Sequence, residues 1–296
     1  MSADGQAELA QQDIVFKGDI SKWVELANEL RIRDLVRISG VDADFAKKGL
    51  QEALTKPMAS GDLEFQLWYA VDVLSGGTWQ RGLYENTYAS FIPNIIMKRL
   101  NYGDSTYQPG TDDPRLPVLA LPTKHHDYRG VSYNVDSQTV IYNSGEVYYP
   151  YGDNIQSSLS TNSKSIYSTV TLSENAYMPV YLFSRAELDL LLAEIELKGL
   201  ASTGESAGDH VKDAVVNSVN YWYRLNQLSQ YARGVADSIL YPTKPSDAAI
   251  AAWATKIETD FNNASTTEDK MEILMQQKYI HLNLLEPYEL WAELRR

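Results

Sequence analysis

The sequence contains no cysteine in its 296 residues, which excludes disulfide bonds, thiolate nucleophiles and cysteine-based metal sites. It also has no apolar run of the roughly 20 residues that a membrane-spanning helix needs. Basic residues are few, 26 against 39 acidic ones, and the net charge of −13 disfavours binding to nucleic acid or anionic lipid. The first residues lack the charged and apolar regions of a signal peptide, so we expect none in this sequence.

Tyrosine, in contrast, is abundant: the chain has 20 tyrosines and 6 tryptophans against 6 phenylalanines. Because tyrosine combines an apolar ring with a polar hydroxyl, it suits surfaces that bind hydrated, partly apolar ligands. Hydrophobic residues make up 44% of the chain. That content is enough for a sizeable core, in one large domain or two modest ones.

The stretch of residues 18–39 predicts a long helix, whose first turn can be capped by Asp19 or Ser21. Helical spacing places six apolar residues on one face of it: Trp23, Leu26, Ala27, Leu30, Leu35 and Ile38. Three charged residues fall near the same face and lie three positions apart, so we expect them to form a charge cluster within the helix. These residues are Arg31, Asp34 and Arg37.

Helical patterns recur at both ends of the chain, and the middle lacks them. Helices are predicted over residues 41–58 and 88–100, and from Ser184 onwards at 184–199, 209–231, 246–261 and 266–296. Between them, residues 101–180 are rich in Gly, Pro, Ser, Thr, Asp and Tyr. This region predicts loops with short strands, for example at Val131–Val135, Gln138–Tyr142 and Ser168–Leu172.

The predicted fold is therefore mainly α, a helical scaffold with a loop-rich insert that carries short strands. We expect a single domain, with a helical base formed by residues 10–58 and 184–296. The insert on the ligand side would then comprise residues 59–183.

Four parts of the sequence carry motifs of one known family. They are Gly18-Asp with Ala27-Asn-Glu-Leu-Arg, then Asp113-Pro-Arg-Leu, then Ala186-Glu with Ala193-Glu, and finally Gln277-Lys with Glu289-Leu-Trp. With these motifs the chain resembles the SusD/RagB-type nutrient-binding lipoproteins on the outer surface of Bacteroidetes-type bacteria. The resemblance runs from about residue 10 to the last residue, and it covers about the C-terminal part of a typical member.

The resemblance implies a tetratricopeptide-like helical scaffold and a non-catalytic function. Such a protein would bind an oligosaccharide or other nutrient and deliver it to a SusC-like TonB-dependent outer-membrane transporter. It would face outwards from the outer membrane, held by an N-terminal lipid anchor that this sequence does not include. A protein–protein adaptor that uses the helical scaffold, with no small ligand, stays open as the alternative.

The sequence contains few signs of catalytic or metal-binding chemistry. Glycoside hydrolysis needs two facing carboxylates, and the best placed pair is Glu146 and Asp153, which flank a tyrosine cluster. The adjacent residues Asp112 and Asp113 would point apart in an extended segment. The run His125-His126-Asp127 favours an exposed polar loop over a metal site, because adjacent side chains on a strand face opposite ways. We therefore expect no enzyme activity, no metal and no cofactor.

Two aromatic segments are the candidate ligand site. A sugar ring has an apolar face and a rim of hydroxyls, so it suits a site that combines aromatic rings with a few placed polar groups. The residues that the resemblance favours for ligand contact are Trp79, Arg81, Tyr84, Tyr142, Tyr148, Tyr149 and Tyr151. The alternative is that these rings pack the insert onto its helical base.

Overall fold

The structure is a computed structural model that describes residues 3–66, 91–101, 106–131, 164–230 and 238–295. The chain divides into two compact units. Unit 1 contains the described residues 3–66, 179–218 and 254–295, and unit 2 contains 91–101, 106–131, 164–178, 219–230 and 238–253. The expected single domain with its base and insert stays a prediction.

The described residues form ten helices and four short strands, which confirms the mainly α fold. In chain order they are α1 Ala3–Gln12, α2 Ile20–Ile38, α3 Ala43–Ala53, β1 Leu63–Phe65, α4 Asn94–Leu100, α5 Leu116–Leu119, β2 Ala120–Leu121, β3 Ile166–Tyr167, β4 Val180–Phe183, α6 Arg185–Leu197, α7 Ala207–Leu228, α8 Asp247–Asn263, α9 Thr267–Leu282 and α10 Pro287–Glu293. Strands β1 and β4 pair antiparallel, as do β2 and β3. None of the helices in the described ranges has the length and apolar character needed to cross a membrane.

The helix ends follow the predicted capping residues. Asp19 accepts hydrogen bonds from the first backbone N–H groups of α2, and Ser184 accepts one from the backbone N–H of Glu187. Thr266 and Asp269 form a complete capping box at the start of α9. Gly199 follows α6 with a φ of +60°, the left-handed conformation that glycine adopts at low cost after a helix. Local sequence therefore determines where these helices begin and end.

The buried face of α2 differs from the predicted one. The helix buries Leu26, Ile32, Leu35 and Val36, whereas Trp23, Ala27 and Ile38 are exposed. The reason for Trp23 is local, because its indole N–H donates to Asp13 in the preceding loop and its ring packs edge-on against Phe16 at 5.0 Å. The buried face of α2 is therefore rotated about the helix axis relative to the face that the sequence predicted.

The predicted charge cluster of Arg31, Asp34 and Arg37 is also wrong, because the two arginines find their partners on other helices. Arg31 pairs with Glu52 of α3, and Arg37 pairs with Glu289 of α10. Asp34 is exposed on α2. Pairing between helices satisfies these charges while linking separate elements, which pairing within one helix would not do.

The core of unit 1 forms where α2, α3 and α6 meet strands β1 and β4. Its central residues include Ile32, Val36, Leu50, Phe183 and Ile195, all of them at most 1% exposed. Two polar side chains of α2 are buried beside this core and tie down the segment after α3. Asn28 donates to the carbonyl groups of Ala53 and Pro57, and Glu29 accepts from the backbone N–H of Ala59.

In unit 2, the predicted strand Ser168–Leu172 is instead a turn. The Ser168 hydroxyl accepts a hydrogen bond from the Thr171 backbone N–H, and the Leu172 N–H donates to the Ser168 carbonyl. Hydroxyl side chains of this kind compete with the hydrogen bonds of a strand. Asn226 of α7 then fixes the turn, donating to the Thr171 hydroxyl at 3.0 Å and to the carbonyl of Leu240.

Burial of Glu29 gives a pH-dependent contribution to stability. Loss of hydration raises its pKa to about 7, so the folded state favours its neutral form. Its contribution is fully present below the pKa of the unfolded chain and is lost as the pH rises towards 7. We expect Glu29→Gln to remove this loss and to raise the free energy of unfolding at pH 8 by about 2 kcal/mol, with little change at pH 4.5.

Urea denaturation at the two pH values measures this difference. Asp34→Asn is the matched control, since Asp34 is an exposed carboxylate of the same helix. A Glu29→Gln protein that is less stable than the parent at pH 8 contradicts the assignment.

Candidate ligand-binding site

The seven residues predicted to contact a ligand lie outside the described part of the chain: Trp79, Arg81, Tyr84, Tyr142, Tyr148, Tyr149 and Tyr151. Glu146 and Asp153 lie outside it too, as do the predicted strand Gln138–Tyr142 and all of Val131–Val135 except its first residue. The ligand contacts of these residues stay a prediction. The structure does describe how the segments that carry them, residues 67–90 and 132–163, are attached in unit 2.

The attachment is a small group of hydrogen-bonded backbone, residues 91–94, 129–131 and 164–166, which we call the strand frame. Ile92 bonds to both of the other pieces, donating its N–H to the Ser165 carbonyl at 3.0 Å and accepting from the Val131 N–H at 2.9 Å. These two pieces also meet directly, since the Ser165 N–H donates to the Arg129 carbonyl at 2.8 Å. Asn94 N–H donates to the Val131 carbonyl at 2.8 Å. Ile92 and Ser165 are fully buried, so these hydrogen bonds are shielded from competing water.

The strand frame brings together the ends of the two aromatic segments. Residue 91 follows the first segment, and residues 131 and 164 flank the second. Three of the four segment ends therefore lie in one hydrogen-bonded group. This proximity was not visible in the sequence, since residues 92 and 165 are far apart along the chain.

Gly130 allows the frame to close against α4. A Cβ atom at this position would lie 2.6 Å from the Cα of Asn94 and 2.8 Å from the Cβ of Met97. Both distances are shorter than side chains tolerate, and one of the obstructing atoms is backbone. The glycine of the Tyr128-Arg-Gly-Val turn is therefore required by the close approach of two backbones.

Beside the frame, the Asp-Pro-Arg-Leu motif forms a buried ion pair. Arg115 donates from Nε and from a terminal nitrogen to the two carboxylate oxygens of Asp113, at 2.9 and 2.6 Å. Both side chains are at most 1% exposed, so the motif has a structural role and its ion pair offers no surface to a ligand.

Three tyrosines interact with one another and with the carboxylates of this motif: Tyr107, Tyr128 and Tyr223. Burial raises the pKa of all three, that of Tyr107 to about 12, and the nearby carboxylates Asp112 and Asp113 add to the effect. The phenols therefore stay neutral, and the Tyr223 hydroxyl donates to the Pro114 carbonyl at 3.0 Å. Tyr128 and Tyr223 are buried and pack within unit 2.

The His125-His126-Asp127 run forms a tight exposed turn. Both histidines are exposed, and His126 has a φ of +63°. Asp127 is buried and accepts hydrogen bonds from the Thr123 hydroxyl and from Arg129. Within the described ranges, no three His, Asp or Glu side chains are placed to hold a metal ion.

In unit 1, sequence reasoning missed a buried Ser–His pair. The Ser184 hydroxyl lies 2.7 Å from Nε2 of His281, whose Nδ1 lies 3.0 Å from the Ser218 hydroxyl. Ser184 and His281 are at most 1% exposed, so a substrate has no access to them. The pair joins the cap of α6 to α9 and α7, which is a structural role.

The fold matches that of several solved structures. A SusD homologue from Bacteroides fragilis superposes with a TM-score of 0.69 at 17% identity, over 96% of this chain and 56% of that one. A structure described as a chitin-binding protein has a TM-score of 0.62 at 22% identity, over 96% of this chain and 54% of that one. A SusD-like protein from Bacteroides thetaiotaomicron has a TM-score of 0.54 at 24% identity, over 98% of this chain and 55% of that one. The chain thus spans a little over half the length of these structures.

The family follows from the sequence itself. The family model for SusD-like proteins, described as Susd and RagB outer membrane lipoprotein, matches residues 1–296. The chain belongs to this family, which confirms the resemblance found in its motifs. A comparison with curated proteins gives no match.

The role of Gly130 can be tested by adding one methyl group. We expect Gly130→Ala to lower the free energy of unfolding by about 1–3 kcal/mol, because the methyl group overlaps backbone and side-chain atoms of α4. Gly61→Ala is the control, since a Cβ atom there meets nothing within 4 Å. Equal urea midpoints for the two variants would contradict the close approach at Gly130.

Arg115 offers a second test of this region. Arg115→Ala leaves the Asp113 carboxylate buried without its partner, and we expect a loss of about 3–5 kcal/mol in thermal or urea unfolding. Arg115→Lys keeps the charge but cannot form both parallel hydrogen bonds, so its loss should be smaller. Arg31→Ala removes an exposed ion pair and should change stability little. An Arg115→Ala protein as stable as the Arg31→Ala protein would refute the structural role.

Proposed function

We propose that this chain binds an oligosaccharide, or another nutrient, without catalysis at the outer surface of the outer membrane. The observation that carries the proposal is the strand frame, where three ends of the two aromatic segments lie together. The segment with Trp79, Arg81 and Tyr84 and the segment with the tyrosines then start from neighbouring points of one unit. Residues from both segments can therefore contribute to a single site. The second segment would supply Tyr142, Tyr148, Tyr149 and Tyr151.

The proposed binding uses affinity alone. The apolar face of a sugar ring stacks on indole and phenol rings, and its hydroxyl rim takes hydrogen bonds from Arg81 and tyrosine hydroxyls. Such contacts bind without reacting and release the ligand again. The fold shared with a chitin-binding protein favours an oligosaccharide among the possible nutrients.

The proposed partner is a SusC-like TonB-dependent transporter, to which the protein would deliver its ligand. Membership of a family described as outer membrane lipoproteins supports a place on the outer membrane. We extend this to a lipid anchor in the full-length protein. Co-purification of the full-length protein with a transporter of this class would be the direct check.

Titration calorimetry or tryptophan fluorescence against a panel of glycans tests the ligand. With the glycan that binds, we expect Trp79→Ala and Tyr149→Ala each to weaken binding at least about tenfold, since buried aromatic contacts dominate such sites. The matched controls are Trp291→Ala and Tyr288→Ala, which remove exposed rings of α10 in unit 1. The control variants should bind like the parent.

Other outcomes separate the competing functions. Loss of binding in the control variants alone would place the site elsewhere. No binding to any glycan, with a partner protein that co-purifies, supports the adaptor. Turnover of a glycan that disappears in Glu146→Gln or Asp153→Asn would make the protein an enzyme.

A further inference from the structure

Helix α10 lies on unit 1 without any fully buried residue. None of its residues, Pro287–Glu293, all of them described, is buried. Tyr288 and Trp291 point to solvent with 82% and 58% of their surface exposed, and Leu290 and Ala292 are only half-buried. This helix therefore gains little free energy from the burial of apolar surface.

The inner side of α10 carries two carboxylates one turn apart, and both meet cations of other helices. Glu289 pairs with Arg37 and lies 3.4 Å from Nε of Arg33, both on α2. Glu293 lies 3.1 Å from Nζ of Lys278 on α9 and 3.9 Å from Nε of Arg37. Glu293 and Lys278 are 8% and 3% exposed, so these pairs are partly shielded from water.

The ion pairs continue on both sides into α6 and form a series of alternating charges, which we call the charge chain. Arg33 also pairs with Glu187 at 3.1 Å, and Lys278 pairs with Glu194 at 2.7 Å, which in turn meets Lys198. The charge chain contains four cations and four carboxylates, and α10 supplies two of the carboxylates. Without α10, these four cations would face Glu187, Glu194 and the half-buried Glu286, which lies near Arg33 and Arg37. One positive charge would then be left in excess.

We propose that Arg33, Arg37 and Lys278 form a docking site for a helix with two carboxylates one turn apart, and that α10 occupies it reversibly. Charge complementarity selects α10 as the occupant, because its carboxylates pair with these cations. The helix moves about the segment before it, where Leu285 stays buried. A helix of seven residues is too short to persist alone in water, so α10 loses its helical hydrogen bonds when it leaves the site.

Hydrogen exchange on the full chain tests the proposal through the backbone amides of α10. Raising NaCl from 0.05 to 1 M shortens the Debye length to about 3 Å and stabilises the separated charges. We expect exchange within residues 287–293 to become about tenfold faster, while the amides of α2 and α6 keep their protection. Equal exchange of α10 at the two salt concentrations would overturn the proposal.

The double variant Glu289→Gln, Glu293→Gln gives the complementary test at low salt. We expect its α10 amides to exchange about tenfold faster than those of the parent, with no further effect of salt. Glu52→Gln, which removes the exposed pair with Arg31, is the control and should leave α10 unchanged. Protection of α10 in the double variant equal to that in the parent would show that apolar contacts hold the helix. Faster exchange throughout unit 1 would show that α10 is an inseparable part of the fold.

Discussion

Buried and half-buried charges must be paired, and in unit 1 that requirement determines how the helices meet. Lys278 and Glu194 are almost completely buried, and an unpaired charge at either position would cost several kcal/mol. Each charge therefore requires the next, which lies on a different helix except where Glu194 pairs with Lys198 at the end of α6. The alternation from Lys198 to Glu187 links α2, α6, α9 and α10.

Sequence periodicity was reliable for α7. A helix was predicted over residues 209–231, and Val211, Val215, Val219 and Trp222, which recur along it at helical spacing, are all buried. Periodicity failed on α2, where charged and apolar residues share faces. Arg31 and Arg37 pair with residues 21 and 252 positions away, and no rule of helical spacing contains that information. The family motifs did mark these positions, yet only the structure shows that Glu289 and Lys278 serve the charge chain.

The candidate site was predicted by residue type alone, and its attachment came from the structure. Aromatic content and the family resemblance selected the two segments, while the pairing of Ile92 with Ser165 and Val131 depends on contacts that are distant in sequence. Tyrosine content proved ambiguous by itself, since Tyr128 and Tyr223 are buried in unit 2. A tyrosine count therefore cannot separate a binding surface from packing, because the same amphipathic ring serves both.

The attachment of the aromatic segments through the strand frame does not depend on the amino-acid sequence of the segments themselves. Most of its hydrogen bonds join backbone atoms, which almost every residue type supplies, and the Ser165 hydroxyl accepts one more from the Arg129 N–H at 3.1 Å. The position with the least room for a side chain is Gly130. Substitutions and length changes between residues 66 and 91, or between 131 and 164, leave those bonds intact. Under the proposed function, exchange of whole segments on an unchanged base would be a route to vary ligand preference, as for hypervariable loops on an antibody domain. The same property makes the protein a natural host for grafted loops, with chimaeras joined at these boundaries.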